Sequence, residues 1–193
     1  MRLSNVLAGA AALVGTGAAC YVGLVTGRLS LDLGVGRRTR PLGPLVVDIA
    51  APREVVYAAA TAPYAERRPR AMAEKVQILE RGDAMVLAAH RTPVGGGLVA
   101  VTVETVTFTP PERIGFRLVH GPVPYVAETF ELEETAGGTR LTYTGELGTD
   151  LGALGQRWGD LVERSWVATV RRSLETIRAE SERRTAGKPT PHP

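Results

Sequence analysis

The chain has 193 residues, with Lys+Arg 23 against Asp+Glu 20 and a formal net charge of +3; this excess is too small to argue for nucleic acid, and no nucleic-acid partner is expected. Hydrophobic residues make up 44% and charged residues 22%, which suits one folded domain once an anchor and a tail are set aside. The single cysteine, Cys20, excludes an intrachain disulfide framework and a Cys-rich zinc site. His90, His120 and His192 form no metal-ligand motif, so neither metal nor cofactor is expected.

Asn5 to Gly27 contains no charged residue. A helix of that length rises about 35 Å, enough to cross a hydrocarbon core of about 30 Å. Residues 1–28 are therefore predicted to be a transmembrane anchor. Gly17-Ala18-Ala19-Cys20 faintly resembles a lipoprotein cleavage box, so a signal sequence is the alternative. Arg2 precedes the run, while Arg28, Arg37, Arg38 and Arg40 follow it. That bias predicts a single-pass membrane protein with its folded domain on the cytoplasmic side. Residues 29–44 carry Gly34, Gly36, Gly43, Pro41 and Pro44 and read as a flexible basic linker, its arginines near anionic headgroups.

The folded domain is predicted over 45–182. Leu45–Ile49 reads as a strand stopped by Pro52, and Arg53–Ala62 as a helix with Val55, Val56, Ala59 and Ala60 on its apolar stripe. A polar bend follows, then a short helical segment, Ala71–Val76. Turn signals next divide the chain into strands Val76–Leu79, Ala84–His90, Val99–Thr109, Ile114–His120, Val126–Glu133 and Arg140–Leu147. This spacing argues for an antiparallel meander. From Leu154 to Ile177 apolar residues recur at three- and four-residue steps, including Trp158, Leu161, Val162, Trp166, Val170 and Leu174. This is a long amphipathic helix, expected to fade after Arg178. Residues 183–193 are expected to be a disordered tail.

The fold class is therefore α+β: a sheet with one face to bury and a long helix that supplies the matching stripe. Three stretches carry a family resemblance: Val47-Asp48-Ile49-Ala50-Ala51-Pro52-Arg53-Glu54-Val55-Val56-Tyr57; Pro111-Glu112-Arg113-Ile114-Gly115-Phe116-Arg117; and Thr129-Phe130-Glu131-Leu132-Glu133 with Gly137-Gly138-Thr139-Arg140-Leu141-Thr142-Tyr143. Over residues 45–182 the chain resembles the SRPBCC superfamily of START-like lipid-binding and polyketide cyclase or dehydrase-like domains. The resemblance implies a helix-grip fold, a curved antiparallel sheet around the C-terminal helix, with an internal cavity. Tyr57 and Tyr64 belong to the helical pair that resembles the superfamily's cavity lid.

Strand register suggests what lines such a cavity. On Val126–Glu133 the apolar set Phe130 and Leu132 must face inward, which turns Val126 and Glu128 inward too. On Ile114–His120 the inward set is Ile114, Phe116, Leu118 and His120, and on the last strand Leu141, Tyr143, Gly145 and Leu147. Matching faces pairs Phe116 with Phe130 and Leu118 with Glu128, while pairing Phe130 with Tyr143 sets Glu128 opposite Gly145. A carboxylate facing an apolar interior needs a partner, water or a proton. Arg91, His120 and Tyr143 are its candidate partners. On Val99–Thr109, Val99, Val101 and Val103 favour one face and Val106 and Phe108 the other, which predicts a bulge near Glu104 or Thr105. The faces of His90 and Arg91, at a strand end before a glycine-rich loop, are left open by the sequence, with a solvent-exposed role favoured over a site role.

Three functions fit. The first is a membrane-tethered domain binding an apolar or amphipathic small molecule, such as a lipid, in a cavity lined by Tyr57, Arg91, Phe116, Leu118, His120, Glu128, Phe130, Tyr143, Trp158 and Trp166. The second is a cyclase-like enzyme with Glu128 as acid or base, assisted by His120 or Tyr143. The third is a non-catalytic interaction module with a filled core. With no phosphate loop, metal constellation or acyl-transfer elbow, nucleophile chemistry has little support, and whether the chain is an enzyme stays open, leaning against. Oligomeric state is not fixed by the sequence.

Overall fold

Runs of β-branched and aromatic residues separated by Gly- and Pro-rich turns form one sheet of seven strands among the described residues. The computed structural model describes residues 17–187. Its elements are a helix α1 (17–25), β1 (Arg38–Ile49), α2 (Arg53–Thr61), a 3-10 turn (Ala62–Tyr64), α3 (Arg70–Lys75), β2 (Val76–Arg81), β3 (Met85–Gly95), β4 (Leu98–Thr109), β5 (Arg113–His120), β6 (Tyr125–Thr135), β7 (Gly138–Thr149) and α4 (Gly152–Ala186). The strand order is β1-β7-β6-β5-β4-β3-β2. β2 to β7 form the expected meander, and β1 closes the row beside β7 by antiparallel pairing. With α4 along one face, this is a helix-grip arrangement.

The core follows the two-residue period of the strands. Ile114, Phe130, Leu132, Leu141, Tyr143 and Leu147 are buried on the concave face, against Val162, Val170, Leu174 and Ile177 of α4. Each such side chain contributes about 1.5–3 kcal/mol on burial. α4 lies mainly on β1, β7 and α2. Its buried stripe is Gly155, Gly159, Val162, Val170, Leu174, Ile177 and Ser181. Leu154 and Leu161, expected on that stripe, are 68% and 56% exposed; the small residues Gly155 and Gly159 take the inward positions and let the helix approach the sheet. The helix does not fade after Arg178 but continues to Ala186, supported by Glu180, which accepts from Arg183 at 2.6 Å and Arg184 at 2.7 Å. Of the expected tail, residues 188–193 lie outside the described residues.

The stretch read as a linker is largely structured. β1 begins at Arg38, not Leu45. Pro41 and Pro44 are tolerated because β1 is an edge strand, where a missing N–H costs no ladder bond. Gly43 takes φ +89 at a register shift between Leu42 and Leu45, which keeps Leu42 and Leu45 both turned inward despite their odd separation. The arginines expected near headgroups are engaged within the fold. Arg37 binds Asp150 at 2.8 Å and also pairs with Asp32, Arg38 donates to Gln156, and Arg40 pairs with Asp160 and Glu163. Asp150 also accepts from the backbone N–H groups of Leu33 and Gly34.

No helix among the described residues is long and apolar enough to cross a membrane. Of the span expected at Asn5–Gly27, residues up to Thr16 lie outside the described residues. The remainder forms α1, whose Tyr21 ring meets Trp158 edge-on at 6.1 Å. The single-pass topology and its sidedness therefore have no support in this fold.

Candidate functional site

Across the concave face the strand ladders align Val106, Phe116, Glu128 and Gly145 in one row. The neighbouring row is Phe108, Ile114, Phe130 and Tyr143. The expected opposition of Glu128 to Gly145 and of Phe130 to Tyr143 is present. The β5–β6 register differs from expectation by two residues: Phe116 stands opposite Glu128, and Ile114 opposite Phe130. A two-residue slip leaves every side chain on its own face, so facial pattern alone cannot distinguish the two pairings.

Gly145 explains how Glu128 is held. A Cβ there would stand 3.1 Å from the Glu128 Cγ and 3.2 Å from the Tyr143 hydroxyl. With glycine, the Tyr143 hydroxyl crosses the position and donates to Glu128 Oε1 at 2.5 Å. Trp166, from α4, donates its indole N–H to the same oxygen at 2.6 Å. Both donors are neutral, and among the described residues no lysine or arginine pairs with this carboxylate. Part of the side chain stays accessible, yet the carboxyl is raised from 4.5 to about 7. Burial is the largest cause and the nearby Glu104 charge adds to it; the Tyr143 and Trp166 bonds, and after them the His90 charge, pull the other way.

A second polar cluster faces the same interior from β3 and β4. Glu104, only 6% exposed, accepts from Thr102 at 2.7 Å through Oε1 and meets His90 Nδ1 at 3.2 Å through Oε2. His90 Nε2 lies 3.0 Å from the Tyr64 hydroxyl. The Tyr64 ring in turn packs on Phe108 and Phe116, and Phe116 on Phe130. Burial works to raise the Glu104 pKa, but His90 and Thr102 together outweigh it and hold the carboxyl below its ordinary value. Tyr64 is pushed well above the ordinary phenol range, first by burial and then by the Glu104 and Glu128 charges.

The sequence-predicted residues divide accordingly. Phe116, Leu118, Glu128, Phe130, Tyr143 and Trp166 share the concave side. Of these, Phe116, Leu118 and Trp166 are only partly buried, because α4 sits toward β1 and β7 and leaves the β4–β5 side to Tyr64. Tyr57 packs partly buried from α2, its hydroxyl without a partner. Trp158 stands toward one end of the helix, donating to the Pro122 carbonyl at 2.7 Å and touching Tyr21. Two expected partners of Glu128 are elsewhere. Arg91 is exposed and donates to Gln77 at 2.9 Å. His120 follows the β4–β5 irregularity, where Val103 pairs with His120 but Glu104 with Leu118; the extra residue, Val119, turns His120 off the inward set, and it bonds the Gly27 carbonyl.

Sequence reasoning misses Glu104, His90 and Thr102 as site residues. It expects a bulge near Glu104, and a register shift does occur there, but its extra residue is on β5. β4 alternates without interruption, with Ala100, Thr102, Glu104 and Val106 inward and Val99, Val101 and Val103 outward. The valines mislead because they are the more apolar set. The available signal is Thr102 and Glu104 in phase with Val106 and Phe108. Two shallow depressions, of about 340 Å³ beside Ala50–Glu54 and about 550 Å³ along α4 near Arg172–Arg183, contain none of the expected cavity residues. Among the described residues no group of His, Cys, Asp and Glu could hold a metal ion.

The profile of the family described as "Polyketide cyclase / dehydrase and lipid transport" matches residues 45–182. Among solved structures, the chain is similar to the Zhui aromatase/cyclase from Streptomyces sp. R1128, with 18% identity, a TM-score of 0.62 and coverage of 79% of this chain and 99% of that one. It is also similar to BexL, a di-domain ARO/CYC from the BE-7585A biosynthetic pathway, with 19% identity, a TM-score of 0.57 and coverage of 80% of this chain and 52% of that one. A third similar structure is TTHA0849 from Thermus thermophilus, with 18% identity, a TM-score of 0.55 and coverage of 79% of this chain and 98% of that one. At these identities the likeness speaks for the fold alone. No curated protein matches.

Proposed function

We propose, from the premise that this chain belongs to the polyketide cyclase/dehydrase and lipid transport family, that it binds an apolar or amphipathic small molecule between α4 and the concave face of the sheet. The carrying observation is a carboxylate fixed by Trp166 and Tyr143 among aromatic and aliphatic side chains that remain partly accessible. A core built only for stability has little use for a carboxyl whose burial disfavours its charged form. A ligand site gains from it an orienting polar group in an apolar lining. This reading does not depend on a membrane span.

Native mass spectrometry of the full chain, before and after incubation with decyl-chain amphipaths and small aromatic polyketide-like phenols, tests it. One-to-one adducts are expected. A chain that neither carries nor accepts an apolar molecule overturns the reading and leaves an interaction module with a filled core.

One observation favours a second reading, acid–base chemistry on such a ligand. A carboxyl raised to about 7 populates both protonation states near neutrality, which suits a group that gives and takes protons. Tyr143 is then the assisting donor; His120, engaged at Gly27, takes no part. Glu128→Gln distinguishes the readings, since it removes turnover if chemistry occurs and leaves the adducts if only binding does.

A further inference from the structure

The two interior carboxylates differ in what they leave unused. Glu104 has a neighbour at each oxygen: Oε1 accepts from Thr102, and Oε2 lies 3.2 Å from His90 Nδ1 in an ion-pair contact that is not aligned as a hydrogen bond. Glu128 receives both of its donors on Oε1. Its Oε2 accepts no hydrogen bond from the described residues, and the residue is not fully enclosed. The surroundings supply no fixed cation to this oxygen, and the second carboxylate is close enough to raise the cost of further negative charge. The adjoining surface is Phe116, Leu118 and Trp166.

We infer that the concave site selects amphipaths whose polar end is a hydrogen-bond donor, an ammonium or a hydroxyl, and that Glu128 Oε2 receives it. This rests on the binding reading above and deepens it by naming the headgroup. A donor headgroup completes the carboxylate's unused acceptor, and an ammonium adds the missing counter-charge. A carboxylate or phosphate headgroup has no proton to offer and meets the Glu128 charge directly, because His90, the nearby group able to carry positive charge, is already engaged by Glu104. The site thus discriminates by an unpaired group and not by tail length, since an apolar lining tolerates tail differences cheaply.

The test is a headgroup series on one tail: decylamine, 1-decanol and decanoate at pH 8, below micelle formation, each titrated against the full chain by Trp fluorescence and calorimetry. The expected order of affinity is amine, alcohol, decanoate, with about tenfold or more between the first and the last. Glu128→Gln, checked by circular dichroism for native folding, brings the three within about threefold by removing the charge. Because the series is read on the unaltered protein, the inference stays testable if the variant does not fold. Equal affinity for all three, or preference for decanoate, overturns the headgroup inference while leaving the binding reading intact. Binding of none overturns both.

Discussion

Glu104 and Glu128 sit on the same concave face, yet their environments push them in opposite directions. Glu104 has His90 and Thr102 on its two oxygens and is held below the ordinary carboxylate value. Glu128 has two shorter contacts, both hydrogen bonds from neutral groups and both on one oxygen, and is raised to about 7. Hydrogen-bond number therefore does not decide which carboxyl stays charged. A donor able to carry positive charge does, because burial penalises a net charge more than neutral dipoles recover. The β3–β4 cluster is closed in charge, with His90 beside Glu104, and the β6–β7 group is open, with neutral donors alone on Glu128.

The harshest way to break this comparison is to remove Glu104. Glu104→Ala leaves Thr102 and His90 unmatched in a buried position, and a loss of about 3–5 kcal/mol is expected from urea unfolding at pH 7. A loss below about 1 kcal/mol shows that the network is not closed. Glu104→Gln keeps the shape and removes the charge that helps raise Glu128. Glu128 should then titrate lower than in the unaltered chain, as read by the pH dependence of Trp166 fluorescence. An unmoved titration means that the two sites are electrostatically separate.

Glu128→Gln sharpens the same contrast from the other side. The amide oxygen still accepts from Tyr143 and Trp166, while the charge disappears. A carboxyl whose folded value lies above its unfolded value binds a proton on folding, so stability falls as pH rises from about 4.5 through about 7. The penalty is absent below that window and complete above it. The variant should match the parent near pH 4.5 and exceed it at pH 8 by an amount on the order of 2–3 kcal/mol. Equal stabilities at both pH values would show that Glu128 titrates as an ordinary surface group.

Much of this arrangement is legible in the sequence, and the losses have physical causes. The meander, the long helix and the inward turn of Glu128 follow from periods of two and 3.6, which the side chains of β6, β7 and α4 obey. The β5–β6 pairing comes out two residues off because facial pattern is blind to even slips. Periodicity puts Leu154 and Leu161 inward because close approach at Gly155 and Gly159 carries no hydrophobic signature. It cuts β1 short because Pro41, Gly43 and Pro44 signal a turn, whereas an edge strand admits all three. The Glu104 cluster joins residues from three separate segments, and proximity of that kind is a property of the fold, not of any spacing along the chain.

Asp150 supplies the smallest and most local test, and it completes the series. It is a buried carboxylate like Glu104, but its main partner is Arg37, a fixed cation, with the Leu33 and Gly34 backbone N–H groups added. Those contacts, Arg37 first, hold it at about 2. A depressed value means that its contribution is fully present above the ordinary carboxylate range and is lost only as pH falls toward 2. Asp150→Asn removes the charge and one set of acceptor sites while keeping the size. Because these bonds tie residues 32–37 to the β7–α4 corner and touch neither Glu104 nor Glu128, the effect should be confined to that strap. Amide hydrogen exchange of Leu33 and Gly34 should accelerate at pH 7, while the amides of β6 and β7 around Glu128 keep their parental rates. If exchange at β6 accelerates equally, the strap is part of the same cooperative unit as the site, and the separation between the closed and open carboxylate environments does not extend to this corner.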